Sequence, residues 1–263
     1  MIRSALMNVM TAAVIKAGKA LKRDFGEVEN LQVSIKGPGD FVSAADRRAE
    51  KTLFEELSKV RPGYGFIMEE SGIVEGSDPS HRWIIDPLDG TTNFLHGIPH
   101  FAISVGLERE GVLVAGIVYN PATEDMYIAE KGQGAFHNNR RLRVSARREM
   151  SEAMVGGGAP HLGKAKDHPL YKHELANMIA RAAAVRSYGA TALDLAYVAA
   201  GRFDALWQRG CHIWDVAAGA VLVREAGGYV SDADRDELSL DATDVAAGNE
   251  YLHRQILDLL KQK

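Results

Sequence analysis

The 263-residue sequence predicts a mixed α/β fold, formally α+β in its largely antiparallel sheet. Three observations carry that expectation. Helical apolar spacing marks the N-terminal and C-terminal segments. Neighbouring β-type segments fill residues 101–139, and strands joined by tight turns pair antiparallel. Short strand and helix patterns then follow one another from residue 153 onward.

In chain order, residues 2–25 carry Ile2, Leu6, Val9, Ala13, Ala17 and Leu21 at helical spacing, with Arg3, Lys16, Lys19 and Lys22 largely off that stripe. Gly26 is the expected stop. Residues 33–35 read as a short strand, and Lys36-Gly37-Pro38-Gly39-Asp40 as a tight loop. A second helix starts near Ser43 and runs to about Val60, with Asp46 in its first turn, where an acid also serves the helix dipole. Residues 65–68 form a strand that delivers Glu69 and Glu70 at its end. Residues 101–107 and 112–119 are strands joined by a turn at Glu110-Gly111, followed by a strand at 126–129 and a hairpin around Asn138-Asn139.

Residues 153–155 form a strand running into Gly156-Gly157-Gly158, glycines that lack P-loop spacing and read as a loop or a close backbone approach. A helix is expected over 169–184, a strand over 185–188, a small-residue helix over 190–200 closed by Gly201, and a strand over 203–207. Asp215 opens a helix over 216–226 that Gly227-Gly228 stops. Strands at 229–231 and 245–247 precede a last helix, capped by Asn249 and carrying Leu252, Ile256, Leu259 and Leu260. With no linker in sight, the chain reads as one compact unit with sub-regions at roughly 1–150 and 151–263.

Composition narrows the function classes. Hydrophobic content of 46% and charged content of 25% are ordinary for a globular protein. A net charge of −4 argues against a general nucleic-acid or membrane binder. The arginines 140, 141, 143, 147 and 148 form a local cluster that reads as a solvated hairpin rim. Cys211 is the single cysteine, so no internal disulfide is possible, which fits a reducing cytosol. With no membrane-length apolar run and no secretory leader, a cytoplasmic location is expected.

The stretch Trp83-Ile84-Ile85-Asp86-Pro87-Leu88-Asp89-Gly90-Thr91-Thr92-Asn93 carries the chemistry. It reads as a buried strand that stops at Pro87, with Asp89 as a helix N-cap and Gly90 turning the backbone. The N–H groups of Gly90, Thr91 and Thr92 then open a helix and accept an anion such as phosphate. Carboxylates beside a phosphate repel it unless cations intervene, and hard oxygen ligands suit Mg2+. An Asx-turn with both acids solvated is the bland alternative. Glu69, Asp86, Asp89 and Asp215 all fall at strand ends or helix starts. Brought together, they would protonate or recruit divalent cations, since like charges ~4 Å apart repel by about 4 kcal/mol at an effective dielectric near 20. His212 has no His or Cys spaced to join it and reads as a structural or surface imidazole.

These residues resemble a known family. Glu69-Glu70-Ser71, the 83–94 stretch and Trp214-Asp215-Val216-Ala217-Ala218-Gly219, with Lys36, Asp40, Asp46 and residues 189–202, are similar to the Mg2+-dependent, lithium-sensitive inositol monophosphatases of the sugar-phosphatase superfamily. The resemblance implies a layered αβαβα sandwich, a homodimer and two or three Mg2+ per site. It implies Glu69, Asp86 and the Leu88 carbonyl as ligands of one Mg2+, and Asp86, Asp89 and Asp215 as ligands of the second. Gly90 and Thr91 would cradle the phosphate, Thr91 and Asp46 would orient and deprotonate the attacking water, and Lys36 would belong to a closing loop. Asp89, Thr191, Gln208 and Asp215 would contact substrate. Gln208 stands where inositol-using members usually carry Glu, and Thr191 where a small apolar residue is frequent, so a range of sugar phosphates is expected beside myo-inositol 1-phosphate. Fructose 1,6-bisphosphatase or nucleotide 3'-phosphatase activity is the alternative inside the superfamily. Outside it stands a non-catalytic RNA- or protein-binding regulator. Phosphatases with an aspartyl nucleophile use D-x-D-G-T, one residue shorter than the D-x-x-D-G-T found here.

Overall fold

Strand alternation sorts the apolar side chains into three cores. The computed structural model describes residues 4–27, 33–37, 40–158, 171–234, 237–241 and 243–261, with the backbone alone at 33–37 and 40–43. Helix α1 (Ala5–Phe25) starts at Ser4, whose hydroxyl accepts from Met7 N at 3.0 Å, and ends at Gly26. A hairpin of β1 (Val33–Gly37) and β2 (Asp40–Ser43) leads into α2 (Ala44–Val60). Of the expected loop at 36–40, positions 36, 37 and 40 fall in these strands, and positions 38 and 39 lie outside the described residues.

The larger sheet has eight strands: β3 (Tyr64–Met68), β4 (Gly72–Val74), β5 (Asp78–Asp89), β6 (Ala102–Arg109), β7 (Val112–Asn120), β8 (Asp125–Glu130), β9 (Gly134–His137) and β10 (Arg140–Arg141). Their order is β10-β9-β8-β7-β6-β5-β3-β4, antiparallel except between β3 and β5. The turns read from sequence are there. Glu110 and Gly111 take φ of 52° and 80°, and Asn138 and Asn139 take 43° and 70°. A short α3 (Thr91–Leu95) follows β5.

The second sheet joins β11 (Met154–Gly157), β12 (Ala184–Arg186), β13 (Ala205–Arg209), β14 (Tyr229–Ser231) and β15 (Asp244–Gly248) in the order β12-β11-β13-β15-β14. It is mixed: β11 runs parallel to β12 and β13, and the other pairs are antiparallel. The remaining helices are α4 (Tyr171–Ile179), α5 (Thr191–Ala199), α6 (Ile213–Glu225) and α7 (Glu250–Leu260).

Five layers result. Helices α1 and α2 cover one face of the large sheet, α5 and α6 fill the space between the sheets, and α4 and α7 cover the far side of the small sheet. The expected αβαβα sandwich is therefore the fold. Helix α6 is apolar nearly all round because both sheets cover it. It lies directly on the large sheet: a Cβ on Gly116 would stand 2.5 Å from Ala218 O, and one on Gly106 2.9 Å from Ala217 Cβ.

Some expected boundaries shift. The helix expected over 169–184 ends at Ile179, and positions 169–170 lie outside the described residues. Ala184 N donates to Ala153 O at 3.3 Å, which draws Ala184 into β12. Parallel pairing is made across a long crossover, so local sequence carries no sign of it. Helix α6 begins at Ile213, two residues before Asp215. Among the described residues no helix is long and apolar enough to cross a membrane.

Candidate active site

The site grows from the end of β5. Trp83 and Ile85 point into the core under α1 and α2, and Ile84 points toward α5 and α6. Asp86, two residues past Ile84, therefore faces the middle layer. The strand does not stop at Pro87 as expected. Its register with β6 passes from Asp86↔Ser104 to Asp89↔Ala102, so three steps on β5 match two on β6. This is a bulge, a place where a residue lacking N–H is tolerated. On a regular strand Asp86 and Asp89 would face opposite sides; the extra residue returns them to the same one. Leu88 N donates to Asp86 Oδ1 at 2.9 Å and closes the bulge.

Asp89 is not the N-cap of α3. Gly90 is, at φ 89°. Asp89 instead reaches across the middle layer, where its Oδ2 accepts from Ala192 N at 2.7 Å. Ala190, the N-cap of α5, has no capping side chain, and Asp89 satisfies one of the orphan amides of that helix. Gly90 has no room for a side chain: a Cβ would lie 3.1 Å from His100 O and 3.2 Å from Ala190 Cβ. Asp215 arrives from α6. Ser104, paired with Asp86, donates to Trp214 O at 3.0 Å and pins the first turn of α6 beside the bulge. Asp215 Oδ2 accepts from His212 N at 2.7 Å.

Two more elements complete the group. Glu69 follows β3, whose Met68 pairs with Ile85, and its N–H donates to Ile85 O at 3.2 Å, next to Asp86. From α2, the fully buried Asp46 accepts from Thr91 Oγ1 at 3.2 Å, and the same hydroxyl lies 3.1 Å from Leu88 O.

Burial holds the carboxyls of Asp86 and Asp89 well above the usual carboxylate range. For Asp86 the charges of Glu69, Asp89 and Asp215 add to that, as does a hydrogen bond that the protonated Asp86 carboxyl donates to Glu69. For Asp89 the charge of Asp215 follows burial, and the Ala192 amide opposes it. Among the described residues no three His, Cys, Asp or Glu side chains stand around one ligating point. The four acids are electrostatic neighbours rather than a closed cage. Four carboxylates and the Leu88 carbonyl, with no nitrogen or sulfur, nonetheless make a donor set that fits a hard divalent cation such as Mg2+.

A pH dependence follows. A carboxyl with raised folded-state pKa binds protons that the unfolded chain releases. Its contribution to stability is full below about pH 4, the ordinary Asp value, and is lost as pH rises through the raised value. A divalent cation held by these acids would offset that loss. The rise in melting temperature on adding Mg2+ is therefore expected to be larger at pH 8 than at pH 5; equal rises in a thermal-shift titration would show that Asp86 and Asp89 do not share the cation site.

The remaining expected residues sit differently. Thr191 opens α5 beside the Ala190 that packs on Gly90. Gln208, on β13, follows Leu206 by two and faces the same middle layer. Its Nε2 donates to Arg209 O at 3.1 Å, and its side chain lies against Gly158 where a Cβ would stand. Gly158 is thus the close approach expected of the glycine run. Lys36 falls in β1, and its side chain is outside the described residues. His212 is exposed, its ring 4.6 Å from that of Trp214. Three supporting residues were given no role by the sequence. Ser104 anchors α6. Glu50, buried on α2, accepts from Glu70 N at 2.8 Å and from Ser71 Oγ, and so holds the turn that carries Glu69. Asn93 Nδ2 donates to His100 O and Tyr188 O, tying α3 to the loop before α5.

The model of the inositol monophosphatase family matches residues 3–263. The chain is similar to a Mesorhizobium japonicum protein named inositol-1-monophosphatase, 58% identical over 262 residues, 100% of this chain and 98% of the relative. It is also similar to a Pseudomonas aeruginosa protein named Nus factor SuhB, 39% identical over 259 residues, 97% of this chain and 96% of the relative. Among solved structures, the extragenic suppressor protein suhB from Bartonella henselae superposes with a TM-score of 0.94 at 53% identity, covering 98% of this chain and 99% of that one.

Proposed function

The chain belongs to the inositol monophosphatase family, and from that premise we propose that it is a Mg2+-dependent phosphomonoesterase that hydrolyses myo-inositol 1-phosphate or a related sugar phosphate by direct attack of water. The observation that carries this reading is the Thr91 hydroxyl, held between buried Asp46 and the Leu88 carbonyl at the end of the strand that bears Asp86 and Asp89. Bound by Glu69, Asp86, the Leu88 carbonyl, Asp89 and Asp215, Mg2+ would acidify a water and neutralise phosphoryl and leaving-group charge. The chain itself supplies position and a path for one proton. Thr91 Oγ1 donates to Asp46, so its lone pair is free to accept from a water. As that water attacks phosphorus, its proton passes to Thr91 Oγ1 while the Thr91 proton passes to Asp46 Oδ1. The amides of Gly90 and Thr91, which have no carbonyl partner inside α3, hold phosphoryl oxygens. No side chain of the group need form a phosphoenzyme.

The regulator reading draws on the arginine cluster, but part of that cluster is engaged inside the protein. Arg147 pairs with buried Asp204 at 3.0 Å, and the guanidinium of Arg148 lies 4.4 Å from the Tyr251 ring centroid. The relative named Nus factor SuhB keeps that reading as a competitor, and it predicts no need for the acids.

A panel of inositol, sugar and nucleotide phosphates, assayed with Mg2+, with EDTA and with Li+, tests the proposal on the parent and on Gln208→Glu. The parent is expected to hydrolyse inositol 1-phosphate and further sugar phosphates with Mg2+ only, with Li+ inhibition and inversion at phosphorus. Absence of Mg2+-dependent hydrolysis across the panel would overturn the proposal, and retention at phosphorus would replace water by a protein nucleophile. Gln208→Glu turns a neutral hydrogen bond to a ring hydroxyl into a charge-assisted one, stronger by about 1 kcal/mol, so preference for inositol 1-phosphate should rise about fivefold. An unchanged preference would remove Gln208 from substrate reading.

A further inference from the structure

Helix α2 has a second working face. Arg47, Glu50, Lys51 and Phe54 lie at i, i+3, i+4 and i+7, along one side of the helix. With Met68 of β3, Glu70 and Ser71 of the following turn, and Val74 of β4, they line a cavity of about 460 Å3. That volume falls within the range of small-molecule clefts.

Its chemistry is specific. Phe54 and Met68 form an apolar wall, with Met68 3% exposed and the Phe54 ring braced 4.7 Å from that of Phe66. β4 is the edge strand of the sheet and leaves Val74 39% exposed at the mouth. Four charged side chains line the space: Arg47, Glu50, Lys51 and Glu70. Glu50 is buried, and its carboxylate oxygens are engaged by Glu70 N and Ser71 Oγ. Glu70 also has contacts of its own. Arg47 makes no hydrogen bond or ion pair with any described residue. Among the described residues Lys51 approaches only the half-exposed Glu55, at 4.0 Å. The back wall is thus an acid already satisfied, and the mouth holds two cations, of which, among the described residues, Arg47 has no partner and Lys51 has only its 4.0 Å contact with Glu55.

We propose that this cavity binds a small amphipathic anion, an aromatic or branched apolar body carrying one acidic group, with the body against Phe54, Met68 and Val74 and the charge at Arg47 and Lys51. Met68 and Glu70 flank Glu69 in sequence, but none of Asp86, Leu88, Asp89 and Thr91 lines this cavity, and its occupancy does not depend on the phosphatase reading.

The eight methionines of the chain give a site-resolved probe. Methyl-labelled protein is titrated with naphthalene-1-sulfonate, with Mg2+ and inorganic phosphate present to occupy the catalytic turn; Met68→Leu assigns the signal. At about 0.3 kcal/mol per heavy atom the probe binds with Kd near 1 mM or tighter. The Met68 methyl should move saturably, and that of Met10, buried in α1, should stay still. Val74→Glu, a surface change on an edge strand that removes apolar contact and repels an anion, should abolish the shift, while Ile73→Glu on the opposite face of β4 should keep it. The neutral analogue 1-naphthalenemethanol should bind at least about fivefold more weakly. A silent Met68 methyl, or a shift that survives Val74→Glu, would overturn the site. Equal binding of the neutral analogue would overturn the assignment of an anion.

Discussion

Asp89→Asn is expected to lose Mg2+-dependent turnover by at least about 1,000-fold and, stripped of divalent cation, to melt higher than the parent. The two effects share one cause. A carboxylate that helps hold a cation contributes several kcal/mol to stabilising the charge of the transition state, and about 4 kcal/mol corresponds to 1,000-fold in rate. Without the cation the same charge is a burden: Asp89 is 9% exposed and faces Asp215, Asp194 and Glu69. Asn keeps an oxygen for Ala192 N, so the α5 amide stays satisfied. That bond loses its charge assistance, about 1 kcal/mol. Burial and the neighbouring charges outweigh the Ala192 amide, because the Asp89 carboxyl sits well above its usual range despite that amide. A net gain of about 1 kcal/mol is therefore expected, or about 2–4 °C in melting temperature for a chain of this size. Asp215→Asn is the less clean version, since Asp215 also accepts from His212 N at the start of α6. A variant that melts lower without metal would show that the Ala192 bond, not repulsion, dominates at Asp89. Near-parental turnover would remove Asp89 from the site altogether.

The fold was readable where one short stretch decides the outcome. Gly111, Asn138 and Asn139 turn because Gly and Asn accept positive φ at small cost, Glu110 takes the first place of its turn beside Gly111, and the strands around them follow. Asn249 caps α7 through Tyr251 N and Leu252 N, as its position before a helical apolar stripe implies. Reading failed where a distant partner decides. Asp89 looks like a cap because it precedes a helix, yet a carboxylate that can reach Ala192, 103 residues on, satisfies a different helix. Pro87 looks like a strand end, but the bulge opposite Ser104 and Ala102 lets β5 continue past it. The Thr91–Asp46 bond spans 45 residues and became an expectation only through the family resemblance. Ser104 and Glu50 are ordinary residues of a strand and a helix in sequence, and only packing shows that they hold Asp215 and Glu69 in place.

Gly116→Ala tests whether the spacing between α6 and the large sheet sets the position of Asp215. Gly116 pairs with Gly106 across β6 and β7, and both lie under α6. A methyl on Gly116 would meet Ala218 O at 2.5 Å, Ala218 Cα at 2.8 Å and Ala218 C at 3.0 Å. Those are backbone atoms, so no rotamer change relieves the overlap, and the helix must lift or the strand must bend. Overpacking of this kind costs about 1–3 kcal/mol. The upper end is expected here, which is about 6–12 °C in melting temperature. Lifting α6 also pulls Trp214 O from Ser104 and draws Asp215, one turn before Ala218, away from Asp86. Assayed well below its melting point, Gly116→Ala should need at least tenfold more Mg2+ for half-maximal turnover. Gly227→Ala is the control: its φ is +87° with nothing within 4 Å of a Cβ, so it carries about 1 kcal/mol of backbone strain just beyond the end of α6 opposite Asp215. It should melt lower than the parent with an unchanged Mg2+ requirement. If Gly116→Ala loses stability and keeps the parental Mg2+ midpoint, the distance from α6 to the sheet does not place Asp215, and the hydrogen bond of Asp215 to His212 N is left as the group that orients it.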